Sequence, residues 1–280
     1  MGKVSSKLCA ECLMPFYKRF STVKLQEEDV QPMMSDTPKS SQDEDCFFSK
    51  TPIDEVQETV ESNDNSNELN LLLDIMSLAK EEFLAYTRVP LSHDGCEELV
   101  NKDSCIVYGK DLPGGFLLKA EWMIPYTGKE FIDFFQDIEE RPKWDTNISQ
   151  IKIISQPSQY INTTYTTFKK VLTISPRDLI LTSAVFETND GILLVSKSME
   201  NQEFPEKEEF VRMNIELGGY FIQSITETTD GMKSKVFNIT KGDFGGSLPK
   251  RMIKKMTAMA LPGLTKSILK AMKKKSELEL

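Results

Sequence analysis

From Ile148 to Thr240 the apolar residues of this chain recur with period two, and most of the segments are separated by turns only a few residues long. That combination admits few solutions. Consecutive strands with short joints must lie side by side and antiparallel, because a parallel return needs a crossover of a dozen residues or more. The spacing predicts strands over 149–155, 161–171, 178–188, 191–199, 209–216, 220–227 and 232–240. Their joints are Gln156-Pro157-Ser158, Asn189-Asp190-Gly191, Gly218-Gly219 and Thr229-Asp230-Gly231. Met213, Ile215 and Leu217 alternate with Arg212, Asn214 and Glu216, which predicts one apolar and one polar face.

The flanking segments change period. Leu69, Leu72, Leu73, Met76, Ala79, Lys80 and Phe83 recur at helical spacing and predict a helix over 68–87. Cys105–Tyr108 and Phe116–Pro125 read as strands around the turn Pro113-Gly114-Gly115. Lys129–Glu140 reads as a short helix with Phe131, Ile132, Phe134, Phe135 and Ile138 inward, ended by the turn Arg141–Asp145. Leu248–Lys275 reads as a long helix with Ser247 at its N-cap, and Pro262-Gly263 is expected to kink or break it. The fold class is α+β, with a strongly curved antiparallel sheet wrapped on the C-terminal helix.

Charge divides the chain further. Residues 26–68 carry thirteen acidic side chains against Lys39 and Lys50, with few large aliphatics. Such a segment buries too little apolar area to offset its ordering entropy, so 26–67 is read as a disordered acidic linker. Residues 1–25 are basic, and residues 241–280 hold ten Lys/Arg against Asp243, Glu277 and Glu279. The expected domains are a basic membrane-anchoring segment over 1–25, the linker over 26–67 and a folded domain over 68–280. An overall formal charge of -9 argues against a nucleic-acid partner and leaves an anionic membrane surface as the expected contact of the basic ends. No apolar run approaches the roughly 20 residues that span a bilayer. Cys9, Cys12, Cys46, Cys96 and Cys105 form no disulfide framework.

Five short stretches, in order, resemble the START (steroidogenic acute regulatory protein-related lipid transfer) domain, with the phosphatidylcholine transfer protein branch as the nearest likeness. They are Arg141-Pro142-Lys143-Trp144-Asp145, Ile174-Ser175-Pro176-Arg177-Asp178, Val211-Arg212-Met213-Asn214 with Gly218-Gly219-Tyr220, Lys235-Val236-Phe237, and Gly245–Pro249. The likeness covers residues 68–275. It implies a helix-grip fold with an internal tunnel for one lipid, and a function in binding and carrying lipid without catalysis or cofactor. It implies a headgroup site drawn from Trp144, Tyr165 and Tyr220 as aromatic cage, with Arg141, Arg177 or Arg212 for a phosphate or for buried ion pairs. For Trp144 a packed core position, and for Arg177 an ion pair in its loop, stand as alternatives. Where that branch is expected to offer an arginine, this chain has Lys119-Ala120-Glu121-Trp122, so the headgroup stays open. Met252, Met256 and Met259 would pack the lid helix on the lipid, and its lysines would meet anionic headgroups.

Met1-Gly2-Lys3-Val4-Ser5-Ser6 fits the N-myristoylation pattern at Gly2. Cys9 and Cys12 are then candidates for palmitoylation, since one acyl chain holds a membrane only marginally. The expectation is a monomeric, lipid-anchored protein on the cytoplasmic face of a membrane, cytosolic if unacylated. A random linker of this length reaches about 35–40 Å, enough to keep the domain beside its membrane. The alternative is an anchored sensor or scaffold that binds lipid without moving it. An enzyme is not expected: His93 is the single histidine, and no nucleophile elbow, phosphate loop or metal-ligand spacing is present.

Overall fold

A computed structural model of the chain describes residues 63–170, 174–226, 228–247 and 249–278. The basic segment with Gly2, Cys9 and Cys12, and the acidic linker as far as residue 62, lie outside the described residues.

Helix α1 (Asn63–Thr87) begins five residues before the predicted start. It is followed by a single 3₁₀ turn, His93–Gly95. Strands β1 (Glu97–Lys102), β2 (Cys105–Leu112) and β3 (Gly115–Ile124) form a meander. The turn between β1 and β2 is Asp103-Ser104, at φ 56° and 62°, the left-handed pair that a two-residue hairpin needs. Helix α2 (Gly128–Gln136) is shorter than predicted. Its start is fixed by a capping box, in which the Glu130 carboxylate accepts from the Thr127 amide at 2.7 Å. A four-residue helix, α3 (Arg141–Trp144), stands where a turn is predicted. Then come β4 (Ile148–Ser158), β5 (Ile161–Phe168), β6 (Arg177–Thr188), β7 (Gly191–Ser198), β8 (Val211–Arg212), β9 (Asn214–Ser224), β10 (Ser234–Asp243) and helix α4 (Lys250–Leu278).

The strands form one open antiparallel sheet in the order β1-β2-β3-β10-β9-β7-β6-β5-β4, with β8 paired in parallel to β6. Its two faces carry different helices. Leu117, Leu193, Val195, Phe221 and Ile239 pack with Leu69, Met76 and Phe83 of α1. Their chain neighbours Phe116, Leu118, Leu194 and Ile222 pack with α2, α3 and α4 instead. The sheet is thus the middle layer between α1 and the other helices.

Some predicted joints lie inside strands, since β4 runs through Gln156-Pro157-Ser158 to a turn at Gln159-Tyr160. Gly218-Gly219 is not a joint between strands, because β9 runs through it. Gly219 has φ 135°, and a Cβ there would sit 2.0 Å from the Leu194 carbonyl oxygen, so the pair serves a close approach of β9 to β7. A bulge in the pairing with β10 near Glu216 also turns the strand over. Leu217 therefore packs on the α1 side, whereas Met213 and Ile215 face the other way. At Pro262-Gly263 the helix does not break: α4 continues through them, with Pro262 buried inside it.

Candidate functional site

Between the middle of α4 and the sheet the two layers do not meet. A cavity of about 410 Å³ lies there. Leu179 and Leu181 of β6, Leu194 of β7, and Met213 with Ile215 form its apolar floor. Ile253, Met256, Leu261 and Leu264 of α4 form the roof. A smaller cavity of about 60 Å³ continues toward β4 and β5 and shares Phe135, Arg141, Phe168 and Leu179 with the first. The volume is many times a water's share of the liquid and falls in the range of small-molecule sites.

Polar and charged side chains interrupt the apolar lining. Arg141, on α3, faces both cavities. Its guanidinium stacks 4.3 Å from the Phe135 ring centroid and 5.8 Å from that of Trp144. Burial lowers its basicity, yet a guanidinium does not give up its proton in a protein. Tyr220 packs on the same Phe135, with ring centroids 4.6 Å apart. Burial pushes the Tyr220 phenol up to about 12 against the opposing pull of Arg141, so it stays a neutral hydroxyl. Asn238 donates to the Gly219 carbonyl at 2.9 Å, leaving its own carbonyl oxygen without a partner. Arg177, 7% exposed, ties the mouth together: it donates to Phe244 O at 3.1 Å and to Ser175 O at 2.8 Å. Burial lowers its basicity too.

The residues expected to form one headgroup site are dispersed. Tyr220, Arg177 and Met256 line the cavity. Trp144 packs among Phe134 and Phe135 behind it. Tyr165 donates to the Asp178 carboxylate at 3.1 Å, while its neighbours Thr164 and Thr166 line the smaller cavity. Arg212 pairs twice with Asp178 at 2.7 Å and donates to the Phe204 carbonyl, forming a bracket across β5, β6 and β8. Asp178 thus belongs to Arg212 and not to Arg177. Met252 and Met259 are exposed, on the outer side of α4. Lys119 is 2% exposed and donates to Pro90 O at 3.2 Å, securing the loop after α1 and contributing nothing to the cavity lining. Phe135 and Asn238 were not anticipated in the lining. Asn238 carried a signal, as a polar residue in register with the inward Val236.

The roof is fastened along its length by ion pairs. Lys250 meets Asp243 at 2.9 Å, Lys254 meets Asp111 at 3.0 Å, Lys266 meets Asp103 at 2.9 Å and Lys275 meets Asp137 at 3.4 Å. Several lysines expected at headgroups are engaged in this way, and Lys254 is buried. Among the described residues no three His, Cys, Asp or Glu side chains are grouped to hold a metal. His93 stands in its exposed turn, 3.1 Å from Asp94. No described helix is long and apolar enough to cross a membrane.

The START domain family matches residues 81–277. START domain-containing protein 10 of Mus musculus and of Homo sapiens is 27% identical over 140 residues, which is 50% of this chain and 46% of the relative. Steroidogenic acute regulatory-like protein 1 of Caenorhabditis elegans is 25% identical over 166 residues, 58% of this chain and 63% of the relative. The chain thus aligns with about half to two thirds of the length of these relatives. Among solved structures, human StAR-related lipid transfer protein 5 superposes with TM-score 0.66 at 21% identity, over 74% of this chain and 99% of that one. Human STARD10 superposes with TM-score 0.62 at 19% identity, over 71% of this chain and 80% of that one. Both share the open sheet closed by a C-terminal helix.

Proposed function

This chain belongs to the START domain family, and on that premise we propose that it binds a single lipid in the cavity under α4 and carries it between membranes. The observation that carries the reading is the void of about 410 Å³ between α4 and an apolar sheet floor. An unfilled apolar space of that size forfeits dispersion contacts along its whole lining. A lipid tail restores them and gains about 0.8 kcal/mol for each methylene taken from water. Retention then needs no covalent chemistry and no cofactor.

The finer reading is a phospholipid of the phosphatidylcholine type, supported by the order of the five sequence stretches and by cationic and aromatic groups on the cavity wall. Membrane tethering is the remaining part. Gly2 would carry a myristoyl group and Cys9 or Cys12 a palmitoyl group, which would hold a monomeric carrier at a cytoplasmic membrane face. The support is the pattern Met1–Ser6 with nearby cysteines and lysines.

Donor vesicles of fluorescent phosphatidylcholine and unlabelled acceptor vesicles test transport by the full chain. Movement that scales with protein concentration is expected, and binding without movement contradicts it. Gly2→Ala should move the protein from the membrane fraction to the soluble fraction of cells. An unchanged distribution rejects the tether.

A further inference from the structure

The cavity wall carries an amide that the fold leaves half used. Asn238 sits on β10 between Ala120 of β3 and Tyr220 of β9, on the face that looks toward α4. It is 4% exposed. Its amide is fixed end for end, because only the nitrogen can donate to the Gly219 carbonyl oxygen 2.9 Å away. The amide oxygen Oδ1 is then left buried with no donor.

The other polar groups of the wall differ. Ser183 and Ser196 share a hydrogen bond at 2.8 Å. The Asp145 carboxylate accepts from the Asn147 amide at 3.2 Å. The arginines and the lysine of the wall bring only donors, and Tyr220 and Thr240 bring hydroxyls that turn to suit their surroundings. Among the described lining residues, Oδ1 of Asn238 is thus the buried side-chain acceptor that lacks a donor. Such a group has given up its hydrogen bond to water without replacement. An aliphatic side chain would line the wall without that cost, as Val236 does two residues earlier on the same strand face. A bound molecule with a donor at this depth would recover the lost bond.

We propose that Asn238 selects, among lipids that fit the cavity, those that carry an O–H or N–H donor for its Oδ1 to accept. This rests on the lipid-binding reading of the cavity and deepens it by giving the ligand a chemical class. A hydroxyl and a primary ammonium share this chemistry. Phosphatidylcholine has neither: its tails hold it, but Oδ1 stays unmet. Phosphatidylethanolamine, with the same tails and an ammonium, meets it.

Matched pairs of lipids that differ by the donor test the assignment. The full chain is incubated with vesicles holding equal amounts of both members of one pair. The pairs are dioleoylglycerol with its methyl ether, cholesterol with its methyl ether, and dioleoyl phosphatidylethanolamine with dioleoyl phosphatidylcholine. Bound lipid is read by native mass spectrometry, and the pair that discriminates tells a hydroxyl from an ammonium. The wild type should favour the donor-bearing member of at least one pair about threefold to tenfold, as expected for one hydrogen bond. Asn238→Leu should take up both members of that pair alike, with uptake of the donor-free member undiminished. A disturbed fold or a narrowed cavity would lower both members together, so the ratio separates an acceptor from a packing role. Asn238→Ala removes the same oxygen if the leucine variant does not fold. A folded variant that keeps the wild-type ratio overturns the assignment. So does a wild type that binds both members of every pair alike, the result expected if a water meets Oδ1, and the lipid reading then stands. A wild type that takes up no lipid from any vesicle overturns the lipid reading, and the role of Asn238 with it.

Discussion

Helices α1 and α4 cover opposite faces of one sheet, using alternate residues of the same strands, yet they close it by different means. Under α1, Leu69, Leu73, Met76, Ala79 and Phe83 are buried directly on the strands. Under α4, Ile253, Ala258, Leu261, Ile268 and Met272 are buried, but the helix stands off the floor at Met256 and Leu264. Four lysines of α4 make ion pairs to the sheet and its neighbours, while Lys241–Glu82 at 2.9 Å is a corresponding pair on α1. Dense apolar contact is lost only when a helix leaves entirely. Apart from buried Lys254, these pairs are solvated, worth about 0–1 kcal/mol each, and re-form with water or with another anionic surface. The contrast predicts a permanent core on the α1 face and a closure able to open on the α4 face.

Mutations that exchange the two means should break this contrast. The largest effect is expected on the α1 side. Phe83→Ala empties a fully buried site and should cost about 3–5 kcal/mol in urea unfolding. On the α4 side, Met256→Ala removes a half-buried side chain that already borders a void, and should cost less than about 1 kcal/mol. Equal losses would mean that the two layers pack alike. Lys254→Met leaves Asp111 and Glu97 exposed enough to rehydrate. Global stability should stay within about 1 kcal/mol of the wild type, but amide exchange of α4 should quicken while that of α1 does not.

The smallest effect is one of pH. Burial pushes the Asp243 carboxyl up, but Lys250 and the Gly245 amide outweigh it and hold the group below its ordinary value. A carboxyl whose folded value is depressed stabilises the fold above its unfolded value and loses that contribution as pH falls through the folded one. Below about pH 4, the first turn of α4 should loosen by no more than about 1 kcal/mol. Hydrogen exchange at pH 5 and pH 3, corrected for intrinsic rates, should show α4 opening relative to α1. Parallel behaviour of the two helices would remove the electrostatic part of the contrast.

Period and turn chemistry made much of the architecture legible beforehand. Strands β5, β6 and β7 fall within three residues of their predicted bounds, because one hydrophobic period and one turn specify each. Strand β1 was missed, since Glu97, Glu98, Asn101 and Lys102 leave only Leu99 and Val100 to mark it. Gly218-Gly219 was misread because a glycine needed for close approach looks, in sequence, like one needed for a turn. The bulge that turns Leu217 to the other face has no local signature.

The site was less legible than the fold. Tyr165 and Arg212 have the chemistry of a headgroup site, but Asp178, 34 positions from Arg212, holds both. Arg141 was one of three arginines that sequence could not rank. What distinguishes it is a buried Nε without an acceptor among the described residues, a property that only the folded arrangement displays.

The central claim is that the space under α4 exists to be filled. Native mass spectrometry of the full chain after exposure to phospholipid vesicles tests it most directly. One added lipid mass per chain is expected, together with slower amide exchange in α4 and unchanged exchange in α1. A folded chain that keeps its bare mass, with α4 exchange unaltered by the vesicles, would contradict it.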